Sequence, residues 1–182
     1  GAAGNDVLQG DVGDDALSGE DGADSLVGGE GADVIETGEG QDTVLGGNGN
    51  DSINGHVVDA LAGTYSFTSY AGAKWVDAGA GDDFVYGGTG HDSLSGGEGR
   101  DSVHGGDGND TVLGDAGDDA LFGEDGADSL VGGDGADAID TGEGPDTVSG
   151  GNGNDSINGH LTDSATGAYA FQTYAGAKLI AA

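Results

Sequence analysis

Fifteen aspartates carry the chemistry of this sequence. They are Asp6, Asp15, Asp24, Asp33, Asp42 and Asp51, then Asp83, Asp92, Asp101, Asp110, Asp119, Asp128, Asp137, Asp146 and Asp155, nine residues apart within each group. Each lies two residues after a glycine and two before a Leu, Ile or Val. Carboxylates in glycine-rich turns offer hard oxygen donors, joined by backbone carbonyls that glycine allows to rotate toward a common point. Donors of this kind suit a hard cation, and flexible six- to eight-fold oxygen coordination favours calcium over magnesium. Zinc fits poorly, because the chain has no Cys and four scattered His. Neither GxSxG nor HExxH occurs, and no basic set could cradle a phosphate, so no enzymatic activity is expected.

Composition supports a cation as partner. The formal net charge is −32, with three Lys or Arg against 35 Asp or Glu. Nucleic acid and anionic membrane surfaces would be repelled. Hydrophobic residues make up 34%, too few for an ordinary core, and such a composition taken alone describes a disordered chain. No stretch is apolar enough to span a membrane, and the first residues lack the basic start and apolar run of a signal peptide.

The spacing argues against disorder. From residue 1 the chain divides into nonapeptides, six over 1–54 and nine over 78–158, with Gly at position 4, Asp at position 6 and an aliphatic at position 8 throughout. Positions 1 to 5 form a turn. Positions 7 to 9 predict a three-residue strand whose middle side chain points inward. Two units close one coil of eighteen residues, and stacked coils build two parallel sheets around a single file of aliphatic side chains. Acidic residues at positions 2, 3 and 5, among them Asp11, Asp14, Glu20, Asp82 and Asp118, read mainly as solubilising charge. Asn50, Asn109 and Asn154 lie in sequons, yet turn chemistry accounts for them better than glycosylation does.

The pattern G-G-x-G-x-D-x-U-x closely resembles the RTX, or haemolysin-type calcium-binding, repeat family. The resemblance implies an all-β, right-handed parallel β-roll with calcium in the turns between successive coils. It assigns the fifteen position-6 aspartates and nearby turn carbonyls as metal ligands. If each ion needs two turns eighteen residues apart, the two blocks hold four and seven sites. About eleven ions are then expected, more if the inserts continue the roll, enough to cancel roughly two thirds of the formal charge.

A longer period overlies the nonapeptides. Residues 10–74 match 114–178 at an offset of 104, with 49 of 65 positions identical. The sequence therefore reads as a roll block (1–54), an aromatic insert (55–77), a second block (78–158) and a second copy of the insert (159–182). Seven of the ten aromatics lie in the inserts: Tyr65, Phe67, Tyr70, Trp75, Tyr169, Phe171 and Tyr174. They are candidates for a contact surface or for plugs where the register breaks. Both inserts end in a degenerate repeat, SYAGAKWVD and TYAGAKLIA, that sets Lys74 and Lys178 at position 6. Lysine stands there where the aspartate is expected. Its ammonium could replace a bound ion, or simply be solvated at a break.

The expected role is a structural calcium-binding segment of a large secreted bacterial protein, of adhesin, surface-layer or filament type. As in RTX proteins that leave by type I secretion, it would fold outside the cell, with copies of itself in a filament or layer as candidate partners. The alternative is the C-terminal secretion and folding module of a secreted toxin, protease, lipase or epimerase. Residue 1 begins within a repeat and residue 182 ends within an insert, so a slice of a longer array is expected.

Overall fold

The computed structural model describes residues 1–59, 64–67 and 69–159; of 55–59 and 64–67 it describes the backbone. Lys178, Tyr169, Phe171 and Tyr174, and the side chains of Tyr65 and Phe67, lie outside the described residues. The architecture is all-β. Among the described residues no helix is long and apolar enough to cross a membrane.

Strands numbered along the chain alternate between two eight-stranded parallel sheets. The first contains β1 (Val7–Val12), β3 (Ser25–Glu30), β5 (Thr43–Asn48), β9 (Trp75–Ala80), β11 (Ser93–Glu98), β13 (Thr111–Ala116), β15 (Ser129–Asp134) and β17 (Thr147–Asn152). The second contains β2 (Ala16–Ser18), β4 (Val34–Glu36), β6 (Ser52–Ile53), β10 (Phe84–Gly90), β12 (Ser102–Gly108), β14 (Ala120–Gly126), β16 (Ala138–Asp140) and β18 (Ser156–Asn158). Strands pair with those eighteen residues away, as at Leu26↔Val44 and Val103↔Leu121, except across the insert, where the step is 32. This is the β-roll that the nonapeptide register predicts.

Side-chain alternation places position 8 inward. Leu26, Ile35, Val44, Ile53, Val85, Val103, Val112, Leu121 and Leu130 are completely buried, while Leu8, Leu17 and Ile157 cover the two ends of the core less fully. One aliphatic per nonapeptide is a thin core. Its position decides the fold because slipping a strand by one residue would turn that side chain to solvent.

Many strands are longer than three residues. All those of the first sheet have six, because the ladder resumes at positions 2 and 3 of the following unit, as at Asp11↔Gly29 and Val12↔Glu30. The turn is therefore tighter, and more of the backbone is laddered, than the repeat alone suggests.

Residues 69–77 complete a coil. β9 pairs with β5 on one side and β11 on the other, through Thr43↔Trp75 and Ser93↔Trp75. Its Val76 joins the core at position 8. The step from Thr43 to Trp75 is 32 residues instead of 18, so fourteen residues, 55–68, are extra. They leave the stack as the antiparallel pair β7 (Gly55–Asp59) and β8 (Thr64–Phe67), and the roll closes beneath them. Buried Asn54 anchors the exit: its Oδ1 accepts from Thr37 N at 2.8 Å and its Nδ2 donates to Tyr86 O at 3.0 Å.

Candidate metal centre

Stacking brings the position-6 residues into two columns, one along each edge. One runs Asp6, Asp24, Asp42, Lys74, Asp92, Asp110, Asp128 and Asp146. The other runs Asp15, Asp33, Asp51, Asp83, Asp101, Asp119, Asp137 and Asp155. The blocks that the insert separates in sequence are continuous in space, and Lys74 holds the fourth place in its column.

The two oxygens of each carboxylate have different fates. Oδ1 accepts the backbone N–H of the position-6 residue one coil earlier, as in Asp24 N to Asp42 Oδ1 at 3.0 Å and Asp83 N to Asp101 Oδ1 at 2.8 Å. Lys74 N follows the rule, donating to Asp92 Oδ1 at 2.7 Å. Oδ2 is buried without a hydrogen-bond partner in twelve of the fifteen aspartates. A buried carboxylate oxygen left unpaired is costly, and a dozen aligned ones define where positive charge must go.

The glycine at position 1 makes room for that oxygen. A Cβ on Gly28 would lie 2.3 Å from Asp33 Oδ2 and 2.5 Å from Gly46 O of the next coil. Glycine fills position 1 in twelve of the fifteen units; Thr37, Ala78 and Thr141 stand there in the other three.

Lys74 reveals what the turn can hold. Its side chain is completely buried, and its Nζ donates to Gly38 O (2.7 Å), Gly40 O (2.8 Å), Asp42 Oδ2 (2.8 Å) and Ala71 O (3.2 Å). Three of these acceptors belong to the 37–45 turn and one to the 69–77 turn above it. A cation thus sits between successive turns, surrounded by one carboxylate and three carbonyls. Among the described residues no three His, Cys, Asp or Glu side chains converge on one point. Backbone carbonyls must supply most of the donors, as a calcium turn requires and a zinc centre does not.

The family model of the RTX calcium-binding nonapeptide repeat (4 copies) matches residues 1–26, 27–56, 71–103, 95–130, 104–139 and 131–161. The chain belongs to this RTX family. One of the matched segments, 71–103, includes the degenerate coil with Lys74. Comparison with curated proteins found no match. RTX repeats bind calcium, and the buried aspartate columns fit the turns that would hold it. The RTX roll is a structural calcium-binding fold, not a catalytic one. When bound, calcium supplies divalent charge that neutralises the unpaired Oδ2 atoms and ties one turn to the next.

Without the ion, burial pushes eight of the RTX aspartates, Asp51, Asp83, Asp92, Asp101, Asp110, Asp119, Asp128 and Asp137, upward in pKa. Asp83 rises from 3.8 to about 7, and Asp51, Asp101, Asp110, Asp119 and Asp128 rise to about 6. Hydrogen bonds from the backbone of the preceding coil lower these values but do not outweigh burial. A carboxyl raised in the folded state stabilises the fold through its proton. That contribution is fully present below 3.8 and is lost as pH rises through 6 to 7. Acidifying the calcium-free chain from pH 7.5 to 4 should therefore increase its β-signal in circular dichroism. Calcium-driven folding should show the opposite trend, its midpoint moving to higher calcium as pH falls below 6 and protons compete for the ligands. A calcium midpoint unchanged between pH 7.5 and 5 would contradict these protonation states.

The turn edges carry a second ladder that the nonapeptide pattern alone does not disclose. Position-5 side chains accept the backbone N–H of the next coil's position-5 residue: Asp14 from Ala32 (2.9 Å), Asp82 from Arg100 (2.9 Å), Asn109 from Ala127 (2.9 Å) and His91 Nδ1 from Asn109 (2.8 Å). The sequence signal was the run of short polar residues there, read as solubilising charge for Asp14, Asp82 and Asp118. Instead Asp118, like Asp14 and Asp82, accepts a backbone N–H, from Ala136 at 2.8 Å. Asn50 and Asn109 act as turn residues of this same ladder, Asn50 accepting from Asp82 N. At position 2, Asp11, Glu20, Asp115 and Glu124 occupy left-handed backbone, φ 69° to 74°. Glu124 meets His104 Nδ1 at 3.0 Å and Asp115 accepts from Ser95 Oγ at 2.6 Å. Among the aromatic candidates, Tyr70 donates its hydroxyl to Glu36 Oε2 at 2.5 Å, while Trp75 is 46% exposed on the first sheet's outer face.

Proposed function

We propose that the chain is a calcium-folded structural segment of a large secreted bacterial protein, of adhesin, surface-layer or filament type, in which the roll supplies length and surface. The ligands are the fifteen position-6 aspartates with the carbonyls of positions 2 and 4 of their turns. Two columns of eight turns leave seven gaps each, fourteen in all, and the Lys74 ammonium fills one. Up to thirteen calcium ions therefore fit the described roll. The observation that carries this reading is the set of twelve buried, unpartnered Oδ2 atoms in two columns, one of which crosses the insert unbroken from Asp51 to Asp83 while the other is interrupted at the Asp42–Lys74 pair. A fold that depends on so many ions is well suited to a chain exported unfolded and folded where calcium is abundant. The near-identical 104-residue copies favour a repetitive surface or filament protein over a tail serving one catalytic domain.

The test is the calcium midpoint of folding. Extracellular calcium modules have dissociation constants of roughly 10⁻⁴–10⁻³ M, against about 10⁻⁷–10⁻⁵ M for intracellular sensors. A circular-dichroism titration should place the transition in the extracellular range and show it steep, since one event fills many sites. Complete folding below about 10⁻⁷ M would sink the export reading, because the chain would fold before leaving the cell.

A further inference from the structure

We propose that Lys74 is a built-in cation that permanently takes the place of one calcium ion, leaving the gap between the 37–45 and 69–77 turns closed to metal. The inference rests on the calcium reading above and adds a site that the repeat pattern would count wrongly.

Three observations converge on Lys74. Asp42 is the one fully buried position-6 aspartate whose Oδ2 has a partner among the described residues, and that partner is Lys74 Nζ. The ammonium also takes the position-2 and position-4 carbonyls of the same turn, Gly38 O and Gly40 O, and Ala71 O of the turn above. Finally, the side chain is completely buried, as is that of Asp42, so the pair is not a solvated surface contact.

Charge and geometry make the exchange reasonable. An ammonium has three hydrogens to direct and one positive charge, where calcium brings two charges and a larger oxygen shell. Lysine therefore neutralises Asp42 fully but gives the gap no spare charge for a neighbouring carboxylate. None is needed there, because position 6 of the upper turn is the lysine itself. Substituting lysine for aspartate removes one negative charge and supplies one positive charge in a single change.

The location also has a reason. The two coils that meet at this gap are joined through fourteen extra residues, 55–68, and not by a direct connection. Closing a longer loop costs more chain entropy. A cation carried on the chain needs no capture from solution, so once the coils on either side have folded this junction closes without an ion of its own.

The experiment counts ions by native mass spectrometry of the full chain in saturating calcium, wild type against Lys74→Asp. Restoring aspartate should open the gap and raise the count by one. Because Lys74→Asp could fail to fold, lysine acetylation of the wild type provides an independent reading, with sites located by peptide mass. Labelling of Lys74 should fall at least tenfold between excess chelator and saturating calcium as the ammonium becomes enclosed. Equal ion counts in the two proteins, or Lys74 labelling that persists in saturating calcium, would overturn the inference while leaving the calcium reading intact. A wild type that binds no calcium at all would overturn the calcium reading, and this inference with it.

Discussion

In excess chelator the chain should lose its roll entirely. The driving force for order is one aliphatic side chain per nonapeptide, a single file with no second layer. Against it stand twelve buried carboxylate oxygens without hydrogen bonds. Each unsatisfied buried polar atom costs about 1–3 kcal/mol, and more if charged. The formal charge of −32 adds repulsion in any compact form. Protonating the columns removes part of that cost only at acid pH, so at pH 7.5 the ions are indispensable. Small-angle scattering should show the radius of gyration rising toward roughly 45 Å, the value for an unfolded chain of this length. Far-UV circular dichroism should lose its β-signal in parallel, and added calcium should restore both. A chain that stays compact and β-rich in chelator at pH 7.5 would mean that backbone laddering alone holds the fold.

The second large effect concerns one glycine tested against another. Gly99 and Gly4 both stand at position 4, with φ of +137° and +129°. A Cβ on Gly99 would lie 1.8 Å from Gly81 O in the adjoining coil, whereas one on Gly4 would meet nothing within 4 Å. Gly4→Ala thus carries the backbone term alone, about 1–2 kcal/mol. Gly99→Ala adds a collision with backbone that cannot move without separating two coils. Its loss should exceed about 4 kcal/mol, in the range reserved for broken cores. Followed by calcium titration, Gly4→Ala should shift the folding midpoint only modestly. Gly99→Ala should move it more than tenfold or abolish folding. Similar behaviour of the two variants would show that the turns are not packed as closely as these contacts require.

Most of the fold and its aspartate columns were legible in the repeat. Three invariant positions suffice: Gly at 4 permits the turn, Asp at 6 marks the column and the aliphatic at 8 orients the strand. Reading SYAGAKWVD in the same register places Lys74 at position 6 and Val76 at position 8, and the coil formed by residues 69–77 uses both in those places. What the pattern could not convey was interaction between coils. The acceptor role of Asp14, Asp82 and His91 depends on an N–H eighteen residues further on, and polar residue type alone does not reveal it. The anchoring of Asn54 by Thr37 and Tyr86 is similar, for its partners lie in the coils on either side of it. Strand length was understated for the same reason, since positions 2 and 3 join the ladder only when a neighbouring coil pairs with them.

The insert leaves the stack after Asn54, at the end of β6, and its second copy begins after Asn158, at the end of β18. Both strands belong to the same sheet, five places apart. The 104-residue period therefore contains an even number of half-turns: ten nonapeptides, or five whole coils, plus the fourteen-residue excursion. An odd number would have put the starting points of the two copies on opposite sheets. The even number puts them on the same sheet, about 24 Å apart along the roll for a strand spacing of about 4.8 Å.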